Sequence, residues 1–142
     1  MFLCAFTISS DTRYLPILRQ LARAACDASG SGRISPGADQ ACTLALIEAV
    51  DNAIFHVRPA RRSARERRGR FGLPIRVSVA VDGRRMTIEV VDCGRGIGRR
   101  RKQKPDEMVE HGRGLFLIHS LASQVESRMK RGRHSLRMVF DL

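Results

Sequence analysis

A chain of 142 residues, 43% hydrophobic, has the length of one domain (residues 1–142) whose core buries about two thirds of the unfolded surface. No apolar run approaches the ~20 residues needed to span a bilayer, and the regular succession of apolar segments and turn residues excludes a disordered chain. A net charge of +12 suits a polyanionic partner, yet only Lys102, Lys104 and Lys130 are lysines. The other 23 of the 26 basic residues are arginine, a bias that a GC-rich genome also produces, so charge alone assigns no partner.

The opening residues Met1-Phe2-Leu3-Cys4-Ala5-Phe6 carry no basic leader and give way early to Ser9, Ser10 and Asp11. No signal peptide is predicted, and the cytoplasm is the expected compartment. Cys4, Cys26, Cys42 and Cys93 form no C-x-x-C pair and stand at no zinc spacing. Four reduced thiols are expected, all but Cys93 in apolar surroundings.

In chain order, residues 2–8 read as a first strand. Ser9, Ser10 and Asp11 can cap a helix in which Leu15, Leu18, Ala22 and Ala25 recur at helical spacing, with Pro16 tolerable in its first turn. Ser29-Gly30-Ser31-Gly32 ends that helix, and Ser35-Pro36-Gly37 is loop. A second helix is predicted from Asp39 to about Val57, with Cys42, Ala45, Leu46, Ala49 and Ala53 as its apolar stripe and Pro59 as its stop. Residues 58–70 are polar and arginine-dense, a solvated loop.

Ile75, Val77, Val79 and Val81 then alternate with polar or small residues, and Asp82-Gly83 signals a two-residue hairpin. The return strand carries Met86, Ile88 and Val90 on one face and ends at Asp92. Residues 94–112 are glycine-flanked, charged and aperiodic, and read as a mobile segment. A third helix is predicted over residues 114–125, burying Leu115, Ile118, Leu121 and Ala122. Two strands close the chain near residues 125–130 and 136–140, with Leu136, Met138 and Phe140 toward the core. Helices grouped before and between hairpins predict an α+β fold, a two-layer sandwich.

Three islands carry chemistry. Glu48, Asn52 and His56 are four residues apart, which on a helix places them on one face with β-carbons about 5–6 Å apart. Asn52 can give a magnesium ion one neutral oxygen, because that ion takes few protein ligands beside phosphates and waters. Glu48, one turn away, can orient a water or accept a proton from a hydroxyl. The pair also fits an ordinary solvated helix face.

The second island is Asp92-Cys93-Gly94-Arg95-Gly96. A carboxylate closing an apolar strand needs a donor, which the amine of adenine would supply while Gly94 and Gly96 let the backbone approach the base. An aspartate in that place can equally form a turn with its own backbone. In the third, Gly112-Arg113-Gly114-Leu115, a glycine pair opens a helix whose free N–H groups favour phosphate. Arg113 adds positive charge. A hinge before a helix has the same pattern.

As an ordered set these islands resemble the ATP-binding core shared by gyrase, histidine kinases and mismatch-repair ATPases. More narrowly, Glu48-Ala49-Val50-x-Asn52-Ala53 with His56, and Gly112-Arg113-Gly114-Leu115-Phe116-Leu117-Ile118, are similar to the small bacterial anti-sigma-factor serine kinases. The resemblance covers residues 8–140. It implies the Bergerat fold, with its left-handed βαβ layout and helices on one face of a mixed, mostly antiparallel sheet.

It also implies roles, position by position. Asn52 would ligate Mg2+, Asp92 would bond the adenine amine of ATP, and Gly94 and Gly96 would line the base pocket. Residues 97–111 would be the ATP lid. Gly112 and Gly114, with Arg113 and Leu115 beside them, would meet the phosphates, and Glu48 would be the general base toward a serine or threonine hydroxyl of a partner. Members of that family phosphorylate an antagonist protein, many sequester a sigma factor, and homodimers are frequent among them.

Two departures stand out. The family's Gly-Thr pair entering the last strand reads Gly132-Arg133-His134-Ser135 here, with Ser135 as the hydroxyl available to replace the threonine. The stretch 58–70 is also longer and more basic than that connection requires. Two other readings stay open beside the kinase: a nucleotide-gated protein-binding module without useful kinase activity, and a basic nucleic-acid binder. The last gains little from 5% aromatic content with one tyrosine and no tryptophan. Nothing supplies a dimerising helix pair with a phospho-acceptor histidine, so a full sensor histidine kinase is not expected.

Overall fold

Three apolar alternations, Ile75-Val77-Val79-Val81, Met86-Ile88-Val90 and Leu136-Met138-Phe140, give a sheet one buried face. In a computed structural model of the protein they lie side by side, and residues 1–28, 35–56, 73–94 and 113–142 are described. Strand β1 (Phe2–Ser9) is followed by a short 3-10 turn (Thr12–Tyr14), α1 (Leu15–Asp27) and α2 (Ala38–His56). The hairpin β2 (Pro74–Asp82) and β3 (Arg85–Asp92) comes next, then α3 (Arg113–Leu121), β4 (Gln124–Lys130) and β5 (Arg133–Asp141).

The five strands run in the order β1-β2-β3-β5-β4, and every described pairing is antiparallel. The expected mixed, mostly antiparallel sheet is therefore antiparallel at each of these ladders. Because β5 lies between β3 and β4, those two strands run the same way, and the chain crosses from β3 through α3 to the sheet edge before β5 fills the gap. The helices lie side by side as the second layer. Helix α2 sits between α1 and α3, over β3 and β5, while α1 leans toward β2 and α3 toward β4.

That placement explains the composition of α2. A helix with neighbours on both sides and a sheet beneath needs apolar residues around most of its circumference. Cys42, Ala45, Leu46, Ala49, Val50 and Ala53 are all buried. Among the described residues no helix is long and apolar enough to cross a membrane.

Several boundaries differ from the sequence expectation, each for a local reason. The first helix proper starts at Leu15, because Asp11 caps the 3-10 turn through Arg13 N–H (2.9 Å) and Pro16 falls in the first turn of α1, where no N–H is required. The third helix stops at Leu121, not near Val125. Ser123 N–H already donates to Val139 O (2.8 Å), which draws the chain into the sheet. The β2–β3 loop is Gly83-Arg84, one residue beyond the Asp82-Gly83 pair, since Asp82 still pairs with Arg85. Gly83 alone takes a positive φ of 57°, as a type II′ turn requires of its first central residue.

The β4–β5 loop needs both residues left-handed, Arg131 at φ 50° and Gly132 at φ 74°, the signature of a type I′ turn. The thiols also found an unforeseen arrangement. Cys26 of α1 and Cys42 of α2 are both fully buried and hydrogen-bonded to each other, while Cys93 is exposed. The bond to Cys26, with burial, pushes the Cys42 thiol far up, and the same bond draws Cys26 down.

Two outcomes follow from this packing. Replacing Arg131 by Asn, which tolerates the left-handed region, should stabilise the fold by about 1 kcal/mol. Thermal melting should rise by a few degrees, and a fall would contradict the assigned turn. With a disulfide reagent such as dithionitrobenzoate, Cys93 should react in the native protein and Cys26 and Cys42 only after denaturant is added; rapid native labelling of Cys42 would contradict the buried pair.

Candidate functional site

Gln40 and Asp51 of α2 are exposed, but Glu48 and Asn52 are half-buried. Glu48 and Asn52, one turn apart, project into the seam with α3, where Gly114 leaves room for them. A β-carbon at Gly114 would lie 2.5 Å from Glu48 Oε2 and 3.1 Å from Asn52 Nδ2. Two islands 62 residues apart in sequence thus meet at the first turn of α3.

Both side chains are perturbed by the seam. Burial lifts the Glu48 carboxyl above the ordinary glutamate value, and neighbouring Asp51 adds to the shift. Asn52 Nδ2 is shielded from solvent and has no hydrogen-bond partner among the described residues. Leaving a buried amide donor unpaired is costly, by about 1–3 kcal/mol, so an acceptor reaching Asn52 Nδ2 would be stabilising. A carboxamide offers a donor at one end and a carbonyl oxygen at the other. It therefore fits a phosphate oxygen, or a magnesium ion that keeps phosphate and water as its remaining ligands.

Asp92 closes β3 with only 5% of its surface exposed. Its Oδ1 accepts the Gly94 N–H at 2.5 Å, so the turn with its own backbone is real. Its Oδ2 lies 3.2 Å from His134 Nδ1 on β5, and His134 Nε2 lies 2.9 Å from Ser127 Oγ on β4. Strand register dictates this: Asp92 pairs across the ladder with His134, and Met129 pairs with His134 from the other side, leaving Ser127 two residues along the same face.

The alternation of β5 also decides the fate of the altered Gly132-Arg133-His134-Ser135 segment. His134, Leu136 and Met138 turn toward the helices. Ser135 turns the other way and donates its hydroxyl to Glu89 Oε1 at 2.5 Å. It therefore lies on the face of the sheet opposite to Asp92. The side chain beside Asp92 is His134, which sequence reasoning passed over.

Of the remaining positions, Gly94 is buried and Arg113 exposed at the start of α3. Leu115 is 1% exposed and belongs to the core, so only its backbone N–H in the first helical turn can face a ligand. Gly96, Gly112, the expected lid at 97–111, the loop at 58–70 and the side chain of His56 lie outside the described residues. Two hollows elsewhere, about 440 Å³ near Gly37 and Ser120 and about 330 Å³ between Arg19, Arg23 and Leu44, include none of the residues singled out above.

Comparison with known proteins adds to this geometry. A comparison with curated proteins finds no match. Among solved structures, the crystal structure of the RsbU and RsbW domains of Rv1364c from Mycobacterium tuberculosis superposes with a TM-score of 0.66 at 17% sequence identity. All of this chain is covered, but only 32% of that one, and the likeness is one of fold. The family model of the histidine kinase-like ATPase domain matches residues 8–140, nearly the whole chain, and the chain belongs to that family.

Proposed function

We propose that residues 1–142 form one ATP-binding domain of a cytoplasmic protein serine/threonine kinase of the anti-sigma type, which phosphorylates an antagonist protein. What supports this most is the meeting of Glu48 and Asn52 with Gly114 at the N-terminus of α3. A carboxylate, a carboxamide and the first helical turn of α3 there gather a base, a ligand for a cation and an anion cradle. The family membership supplies the ATPase character. A sigma factor as second partner and a homodimer belong to the same reading.

In this mechanism Asp92 accepts the adenine amine, with Gly94, and Gly96 beyond it, against the base. The first turn of α3, which holds Arg113 and Gly114, receives the phosphates through N–H groups, that of Leu115 among them, and Gly112 is assigned to the same phosphates. Asn52 would hold Mg2+ through its carbonyl oxygen, and the ion would supply neutralisation of the phosphate charge. Glu48 takes the proton of the attacking serine or threonine hydroxyl. Its raised proton affinity makes it a stronger base than an exposed glutamate.

A second reading, a nucleotide-gated binding module with little transfer activity, is favoured by one observation. The hydroxyl that might have stood in for the family threonine is turned away to Glu89.

Nucleotide binding and phosphate transfer both bear on these readings. Mg-ADP at 100 times its dissociation constant should add about 2.7 kcal/mol of stability, several degrees of melting temperature. The absence of any shift would remove both ATP-based readings. Glu48→Gln should reduce phosphorylation of the antagonist by about 10²–10⁴-fold with nucleotide affinity nearly unchanged.

Stability supplies a further check on Glu48. With its folded pKa raised, Glu48 favours the fold while protonated, and that contribution is lost as pH rises through the folded value. At neutral pH Glu48→Gln should therefore be at least as stable as the parent. In the parent, transfer should decline on the acid side at a pH above the ordinary glutamate range. A variant that loses stability and nucleotide affinity together would make Glu48 part of a structural or metal-holding shell.

Gly114→Ala separates site geometry from folding. Alanine is favoured over glycine within a helix by about 0.5–1 kcal/mol, and the atom it meets first is the movable end of Glu48. The variant should fold normally yet transfer phosphate more slowly, because Glu48 is displaced. Full activity would show that the carboxylate need not sit where it does.

A further inference from the structure

We propose that His134 is the positioning residue that fixes Asp92 for recognition of adenine, with Ser127 holding the far side of its ring. The inference rests on the adenine role proposed for Asp92 and adds to it the means of selectivity. His134 is 5% exposed and hydrogen-bonded through both ring nitrogens, to Asp92 Oδ2 at 3.2 Å and to Ser127 Oγ at 2.9 Å.

The chemistry of the three groups assigns the protons. An ionised carboxylate only accepts, so the ring nitrogen facing it, Nδ1, carries hydrogen. In neutral imidazole the other nitrogen, Nε2, then has a bare lone pair, and Ser127 is the donor that meets it. The carboxylate, which has no hydrogen to give, disfavours the opposite tautomer, and Ser127 holds the ring from its other side.

The consequence falls on Asp92. One N–H holds each of its oxygens, Gly94 on Oδ1 and His134 on Oδ2, so the carboxylate cannot turn about its last bond. Each oxygen accepts two hydrogen bonds and keeps one lone pair unused. An acceptor held still in this way pairs with the amine of adenine. It meets the oxygen that guanine carries at the same place unfavourably. A carboxylate held only by Gly94 could swing toward the ring N–H of guanine and lose that discrimination. A threonine hydroxyl is both donor and acceptor, and free to rotate. The imidazole offers a single fixed donor.

The test is calorimetric titration of the full chain with Mg-ADP and with Mg-GDP. His134→Leu should lower ADP affinity by about tenfold or more, the effect of losing a hydrogen bond to a charged group, and bring ADP and GDP closer together. His134→Asn, whose amide N–H can take the place of the ring Nδ1–H, should recover most of both. Ser127 is exposed on the edge strand. Ser127→Ala should therefore leave melting unchanged and lower ADP affinity by about twofold to fivefold, a readout that holds even if the leucine variant folds poorly.

If the parent prefers ADP and both His134→Leu and Ser127→Ala match it, the inference is overturned while the nucleotide reading stands. Equal losses in His134→Leu and His134→Asn would reduce His134 to a packing role and overturn it as well. A parent that binds no adenine nucleotide would remove the underlying reading, and the inference with it.

Discussion

The confinement of α2 is the constraint on which the rest of the structure depends. With α1 on one side, α3 on the other and β3 and β5 beneath, only the outer side of the helix, with Gln40, Leu44 and Asp51, is exposed, and a polar group elsewhere needs a neighbour that makes room. Ala45, Ala49 and Ala53 recur every fourth residue and keep the buried side of α2 shallow. Gly114 does the same for α3. The seam between the two helices therefore accepts Glu48 and Asn52 where a side chain on α3 would have excluded them.

From that seam the chemistry follows. A glutamate partly removed from water holds its proton more tightly, and a buried carboxamide with an unpaired N–H remains a donor in waiting. At Asp92 the sheet arranges the opposite situation, a buried carboxylate whose oxygens are both engaged by the protein. Under the proposed function the two regions take different parts of one ligand. The α2–α3 seam, with Glu48, Asn52 and Gly114, is assigned to phosphate and cation. The Asp92 corner, with both carboxylate oxygens held, is assigned to the base edge.

Much of the fold could be read from sequence because period-two and helical spacings are local. Ile75 to Val81 and Met86 to Val90 alternate as strands should, and all face the core. The three islands were equally legible, since each is a short run of residues. Contacts set by register or helix packing were not. His134 reaches Asp92 across 42 residues, and only the pairing of β3 with β5 shows which of His134 and Ser135 faces it. Cys26 and Cys42 meet because α1 crosses α2, which no spacing reveals. Turn chemistry misled by one residue at Gly83, where the glycine serves as the first central residue of the turn and not the second.

The most direct measurement is a crystal structure of the protein with Mg2+ and ADP bound. Electron density for adenine against Asp92 and for the phosphates at the first turn of α3, with Asn52 on the metal, is the expected result. Nucleotide bound elsewhere, or seated there with Glu48 and Asn52 turned away from it, would contradict the site.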